Sequence, residues 1–318
     1  YNDSIRMYVN ANPTAKGPKG GFAIGGFGAA KGSIQDYLRV TPDSVRVYID
    51  QTPGKGPRGG FAIGGFGAAK GGPTDLMRLN KDNYFIGHQS GENITTGLYN
   101  QFFGYQAGMY TTSGSRNVML GYLAGWGNTS GSYNIFLGDQ SGYNNAANYN
   151  TFLGYNSGFS NTTGYNNLFL GYQSGYTNTT GYNNVFIGNR AGYNNIDGIF
   201  NAFVGYESGN KNTSGSRNSF FGYRSGHENT TGEWNAFIGF QAGYNNIDGS
   251  NNTFIGQNAG WYNTSGSYNS FIGYYAGFRN TTGQYNTFLG YQAGYSGCLL
   301  YTSPSPRDLS TSRMPSSA

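Results

Sequence analysis

One cysteine, nine prolines and two histidines are all that 318 residues hold of those types, and Asp, Glu, Lys and Arg together make up only 10%. No stretch approaches the run of about 18 apolar residues that a membrane-spanning helix requires. Glycine stands at 55 positions, about one in six, which excludes collagen with its glycine at every third residue. The shortage of charge is accompanied by 17% aromatic residues, the opposite of a disordered chain. A sequence rich in Gly, Tyr, Phe and Asn that still carries Ile, Leu and Val points to β structure with many turns.

The net charge of +5 is confined to one end. Residues 1–82 hold 11 Lys/Arg against 6 Asp/Glu, residues 83–296 hold 6 against 7, and residues 297–318 hold 2 against 1. Lys16, Lys19, Lys31, Lys55, Arg58 and Lys70 are separated by glycines and never form a run, so they read as solvated loop charges and not as a nucleic-acid surface. The chain opens on Tyr1 without a start methionine or signal peptide and reads as a fragment or processed form.

From Asn83 to Gly294 one pattern recurs, N-x-F-[IL]-G-Y-x-[AS]-G-Y-x-N-T-[TS]-G-x-x. Its first Asn falls at 83, 100, 117, 134, 150, 167, 184, 201, 218, 235, 252, 269 and 286, a step of 17 except for 16 between Asn134 and Asn150. Three glycine columns, beginning at Gly87, Gly91 and Gly97, mark positions of positive φ or close backbone approach. Three bends in 17 residues leave straight segments of about three to five residues, the geometry of a solenoid coil. Stacked coils bring each residue over its copy at about 4.8 Å. Asn161, Asn178, Asn212, Asn229, Asn263 and Asn280, each followed by Thr-Thr or Thr-Ser and then Gly, read as a turn ladder whose side chains bond their own backbone and the next coil. The same triplets match the glycosylation sequon.

Phe85, Phe102, Phe136, Phe152, Phe169 and Phe186 are each followed by an aliphatic or aromatic residue, namely Ile86, Phe103, Leu137, Leu153, Leu170 and Ile187. Successive strand residues point to opposite faces, so both faces are apolar. One column fills the coil; the other forms a stripe roughly 60 Å long over thirteen copies, more than a soluble monomer exposes. Burial against identical chains about an axis predicts a trimer. The alternative is a monomer whose coil is wide enough to enclose both columns.

The string N-x-F-[IL]-G-Y-x-[AS]-G resembles the N-S-V-A-I-G-x-x-[AS] coil of the YadA-like heads of trimeric autotransporter adhesins, over residues 83–296. Related Asn/Tyr/Gly-rich arrays resemble bacterial surface fibres and phage tail fibres. The coil here is longer than the adhesin head's, and aromatics replace small residues. With the periodicity, the resemblance implies an all-β fold: a parallel β-solenoid, left-handed and β-roll-like, of 17-residue coils, assembled as a homotrimer. It implies a non-enzymatic structural and adhesive segment of a bacterial surface fibre, extracellular and anchored in the outer membrane through a region outside this sequence. The alternative is a phage or phage-like tail fibre segment on the virion.

Residues 1–42 and 43–82 read as two β repeat units. Asp3–Val9 (DSIRMYV) matches Asp43–Ile49 (DSVRVYI), and Gly20–Gly32 is repeated without change at Gly59–Gly71. Each unit predicts three short strands. The G-G-F-A-I-G-G segment leads into no helical pattern, as a phosphate loop must, and its likeness to F-I-G-Y-x-A-G predicts a decorated coil of the same stack. Residues 297–318 hold the only cysteine and three of the nine prolines, have no repeat register, and resemble translated sequencing-adapter ends; a non-native, disordered tail is expected.

No convergent set of titratable groups appears, so no catalytic, cofactor or metal residues are expected. His88 and His227 fall at different places in the coil, and Arg116, Arg217, Arg224, Glu92, Glu207, Glu228 and Glu233 occupy variable slots suited to solvated side chains. Glu228 and Glu233 flank one turn, a weak sign of glycosidase chemistry. Asp197 and Asp248, in the variant turn N-N-I-D-G, supply one carboxylate each, far fewer oxygens than calcium takes. The Thr162-Thr163, Thr179-Thr180 and Thr230-Thr231 ladder suggests an ice-binding face, which Ile196-Asp197 and Ile247-Asp248 interrupt. The candidate surface residues are two tyrosine columns, Tyr155, Tyr172, Tyr206 and Tyr223, and Tyr143, Tyr176, Tyr193 and Tyr244. A host-surface protein or a glycan is the expected partner, with no nucleic acid and no membrane contact within the segment.

Overall fold

A computed structural model describes residues 74–296 continuously, with side chains from Leu76, together with the backbone of residues 5–6, 38–41, 44–47 and 61–65. The N-terminal lysines, Arg58 and the segment 297–318 lie outside the described residues. β1 (Ile5–Arg6), β2 (Leu38–Thr41) and β3 (Ser44–Val47) pair antiparallel in a small sheet. β4 (Phe61–Gly65) and β5 (Thr74–Leu79) open a second sheet, which continues through thirteen three-residue strands, one per coil, from β6 (Tyr84–Ile86) to β18 (Thr287–Leu289). The described residues contain no helix.

The result is the expected parallel β-solenoid, about twelve turns of 17 residues. Strand pairing is in phase with the repeat: Phe152 lies beside Phe169, Phe169 beside Phe186, and so on to Phe288. Only the x-F-[IL] segment is strand. The remaining residues turn, yet they too bond from coil to coil, as Gly175 N–H does to Ala191 O at 3.0 Å and Gln173 N–H to Tyr155 O at 2.9 Å.

The strand from Phe61 joins this sheet but does not form the decorated coil that its sequence suggests. It runs antiparallel to β5, which in turn runs antiparallel to β6. A coil needs 17 residues and three bends to return in parallel, whereas eight residues separate β4 from β5. The hairpin therefore covers the sheet edge that the first coil would leave open. Arg78 on β5 completes the cover: its guanidinium lies 4.8 Å from the centroid of the Phe85 ring and donates to the carbonyl of Gly91.

Phe side chains point inward and stack along the axis. From Phe152 to Phe271 the ring centroids are 4.7–4.9 Å apart and the planes within 3–8° of parallel. Aromatic pairs of this kind contribute about 0.5–1.5 kcal/mol each beyond area burial. Met119 replaces one ring between Phe102 and Phe136 and remains fully buried. The stack dictates the second glycine column. Gly175 has φ +58°, and a Cβ there would meet the Phe169 ring at 2.5 Å. The third column has another cause, because its backbone is not left-handed: at Gly181 a Cβ would lie 2.5 Å from the carbonyl oxygen of Gly198, one coil on.

Two asparagine ladders complete the interior. The Oδ1 of Asn150 accepts the backbone N–H of Asn167, and that of Asn167 accepts the N–H of Asn184, each at 2.9 Å. The turn asparagines bond as expected, Asn178 Nδ2 donating to Asn161 Oδ1 at 2.7 Å. Both ladders converge on one carbonyl per coil, Gly181 O accepting from Asn167 and Asn178 at 2.9 and 3.0 Å. The sequon asparagines Asn161, Asn178, Asn212, Asn229 and Asn263 are fully buried, which favours the ladder reading over glycosylation in the folded chain. Asn195 and Asn246, inside the variant N-N-I-D-G turns, belong to the same ladder.

Each coil also holds left-handed residues that are not glycine. Gln173 (φ 53°) and Asn183 (φ 55°) illustrate two columns that together contain 25 such residues. These columns carry no glycine signal in the sequence. The bonds to neighbouring coils hold them there, Gln173 N–H to Tyr155 O and Asn183 N–H to Tyr165 O.

Candidate functional site

The residues flanking Phe on each strand point outward. Phe169, Phe237 and Phe271 are wholly buried, whereas their neighbours Leu170, Ile238 and Ile272 are 40%, 43% and 39% exposed. A coil enclosing both columns is thereby ruled out. An aliphatic or aromatic residue recurs on this outer face in every coil from Ile86 to Leu289, and Ile135, Leu168 and Val185 add to it from the other side of Phe.

The eight candidate tyrosines divide into two kinds. Tyr155, Tyr172, Tyr206 and Tyr223 are exposed, one residue beyond the glycine that ends each strand. Tyr143, Tyr176, Tyr193 and Tyr244 are half-buried. Both columns stack on themselves: Tyr155 on Tyr172 at 5.5 Å, Tyr206 on Tyr223 at 5.3 Å, Tyr176 on Tyr193 at 5.1 Å. Tyr143 lies between Trp126 and Phe159, and Tyr244 between His227 and Trp261. Ring faces inside such a stack are covered by neighbouring rings, so these columns present mainly edges and hydroxyls. Stacking of a sugar on a ring face is available only where a stack ends.

A third outer column was hidden in the variable end of the repeat. Tyr99, Tyr133, Tyr149, Phe200, Trp234, Tyr268 and Tyr285 stand immediately before the repeat's first Asn, in left-handed backbone, and are all exposed. Their signal was the step of 17 itself. Where arginine replaces the ring, its guanidinium takes the ring's place: Arg116 lies 5.4 and 5.3 Å from the centroids of Tyr99 and Tyr133, and Arg217 lies 5.8 and 4.8 Å from Phe200 and Trp234.

The charged slots are not all solvated. Glu207 is buried, bonded by Arg224 Nε at 2.7 Å and 3.6 Å from His227 Nε2. His227 Nδ1 is 2.8 Å from Glu228, which also takes Lys211 Nζ at 2.6 Å. The cause is the step of 17, which sets Arg224 over Glu207 and Glu228 over Lys211. Burial holds the His227 imidazole below its ordinary pKa despite its carboxylate neighbours. Burial also opposes ionisation of Glu228, but hydrogen bonds from Lys211 and His227 outweigh it and hold the carboxyl below the usual range. Glu228 is thus committed to this cluster, and no bond joins it to Glu233 among the described residues. His88 sits apart, stacked on Tyr105.

On the outer turn, Thr162, Thr179 and Thr230 donate their hydroxyls to carbonyls of the next coil at 3.0–3.1 Å. Asp197 and Asp248 occupy exposed positions beside this column. No helix among the described residues is long and apolar enough to cross a membrane. Comparison with protein-family models, with curated proteins and with solved structures returned no match for the chain.

Proposed function

We propose that this solenoid is the rigid, non-enzymatic rod of a bacterial surface fibre, assembled as a homotrimer and used for attachment through its tyrosine- and asparagine-rich exterior. The observation that carries the reading is the outward aliphatic column opposite a wholly buried Phe stack. Twelve steps of about 4.8 Å give a stripe roughly 60 Å long, and one side chain's width makes it on the order of 600 Å² per protomer. The adjoining aromatics bring it towards the ~800 Å² per partner of a stable interface. A rod is suited to three-fold packing because the same stripe on each chain meets an axis parallel to the direction in which the coils stack. Light scattering on the purified chain tests the assembly: a mass three times that of the 34.3 kDa chain supports the reading, and a monomer at micromolar concentration overturns it.

A further inference from the structure

The coil from Asn134 to Tyr149 is one residue short, and the residue it lacks is the one held by Ser130 in the coil before and by Thr163 in the coil after. Ala147 assumes the glycine's role, its carbonyl accepting the Nδ2 of Asn134 and of Asn145, each at 2.8 Å. The outer-turn ladder is interrupted here. Thr112 and Ser113 N–H donate to Thr129 O, and Thr162 and Thr163 N–H to Thr179 O, but among the described residues no backbone hydrogen bond joins Thr129 or Ser130 to Ala146.

Beside the shortened turn lies a surface pocket of about 270 Å³, largely open to solvent and lined by Ala146, Ala147, Asn148, Tyr149, Thr163 and Tyr165. Tyr149 stacks on Tyr133 at 5.1 Å and Tyr165 on Tyr182 at 4.7 Å. Each of the two lining tyrosines therefore ends a stack, and each meets no further ring on the pocket side. In Tyr149's own column, the interruptions at Arg116 and Arg217 are filled by a planar guanidinium; the next coil offers Asn166 instead.

We propose that this pocket is a subsite for one neutral pyranose residue of a glycan. A pyranose presents flat C–H faces to aromatic rings and equatorial hydroxyls around its rim, and the lining supplies both complements. The Tyr149 and Tyr165 rings form the apolar walls. Asn148, whose Oδ1 is occupied by the N–H of Ser132 at 2.7 Å, has its Nδ2 to donate, and Thr163 brings a hydroxyl. No charged residue lines the pocket, which selects against acidic sugars. Its volume lies just below the ~300 Å³ at which drug-sized pockets begin, suiting one ring.

This inference deepens the attachment reading and rests on it only for its biological purpose, since all six lining residues belong to one protomer. Saturation-transfer NMR on the full chain tests it, with the methyl pyranosides of glucose, galactose, mannose and N-acetylglucosamine and with sialic acid as the charged control. At least one neutral pyranoside is expected to bind with a Kd of about 1 mM. Tyr149→Ala and Tyr165→Ala are each expected to weaken it at least tenfold, as is insertion of Thr between Ala146 and Ala147, which restores the 17-residue coil. Asn189→Ala, at an exposed position outside the lining, leaves it unchanged. No binding of any neutral pyranoside up to about 10 mM overturns the proposal. So does binding that survives all three changes in chains whose circular dichroism is that of the parent, and so does binding of sialic acid alone. Failure of the attachment reading would show separately, as a sugar signal without adhesion to cells.

Discussion

Asn178 donates its Nδ2 to the Oδ1 of Asn161 at 2.7 Å, and its own Oδ1 accepts the Nδ2 of Asn195 at the same distance. The relationship repeats along the turn column, so each amide dipole is aligned with the next and polarises it. The ladder occupies the dry interior beside the phenylalanine stack, where an unpaired amide has no water to turn to. Apolar stacking and polar stacking therefore reinforce the same axial register.

Removing one link should be costly. Asn178→Ala leaves Asn161 Oδ1 without a partner and takes one of two hydrogen bonds from Asn195 Nδ2, which keeps Gly198 O, and from Gly181 O, which keeps Asn167, at about 1–3 kcal/mol for each buried group affected. We expect a loss of at least 3 kcal/mol in urea denaturation. Asn189→Ala, on an exposed column, should change stability by less than about 0.5 kcal/mol. Equal effects at the two sites would contradict a structural ladder.

The outward stripe makes a separable prediction. Ile238→Lys places a charge on the exposed face and Phe237→Lys places one in the core. The first should convert the proposed trimer to folded monomer, seen as one-third of the parent mass with unchanged circular dichroism, while the second should prevent folding. Retention of the trimer by Ile238→Lys would show that association uses another surface.

How much of this was legible in the sequence depended on whether the cause was local. That Phe169 and Leu170 lie on opposite faces followed from the two-residue period of a strand, though not which of them fills the coil, and the ladder followed from six spaced asparagines. Asn195 and Asn246 were harder to see, because their turns look different when the outer Thr pair becomes Ile-Asp, although the inner Asn keeps its place. The left-handed backbone of Gln173 and Asn183 left no mark at all, since only glycine announces positive φ and here bonds from adjacent coils impose it. Glu207 read as solvated for a similar reason: its partners Arg224 and His227 are 17 and 20 residues away and approach only once coils stack. The antiparallel hairpin at Phe61 shares its residues with a coil but lacks the length to close one.

Acid should act through His227 first. Its folded pKa lies below the ordinary value, so the unfolded chain binds the proton more readily and stability falls as pH drops below about 6.5. Glu228, whose folded pKa is also lowered, adds a second loss as pH falls below about 4.5 towards its folded value. His227→Tyr restores the aromatic residue usual in that column and removes the first loss. Thermal melts between pH 7 and 5 should therefore slope for the parent and flatten for His227→Tyr; parallel curves would exclude the imidazole as the cause.

The left-handed columns offer a gain. Gln241 has φ 52° on an outer column, so Gln241→Gly should relieve about 1 kcal/mol of backbone strain, offset by the greater entropy of glycine in the unfolded chain. A small rise in melting temperature is expected. A fall by several degrees would mean that the neighbouring coils hold this residue without strain.

The near end of the ladder supplies the most specific test. Asn128 is its first asparagine; the position one coil earlier is Thr111, fully buried, with a hydroxyl that has no hydrogen-bond partner among the described residues. Asparagine is close to threonine in volume, and Thr111→Asn would bring an Oδ1 to receive Asn128 Nδ2 and an Nδ2 to reach Gly114 O, as Asn128 Nδ2 reaches Gly131 O at 3.0 Å. One orphaned hydroxyl is exchanged for two hydrogen bonds of about 1 kcal/mol each. Extending the ladder further to Ile94 should bring no such gain, because that side chain packs against the buried core and leaves no polar atom unpaired. Urea denaturation of the two variants separates the explanations: stabilisation of about 1–2 kcal/mol at Thr111 with none at Ile94 follows from repairing an unsatisfied site, whereas equal gains would mean that ladder length alone sets stability.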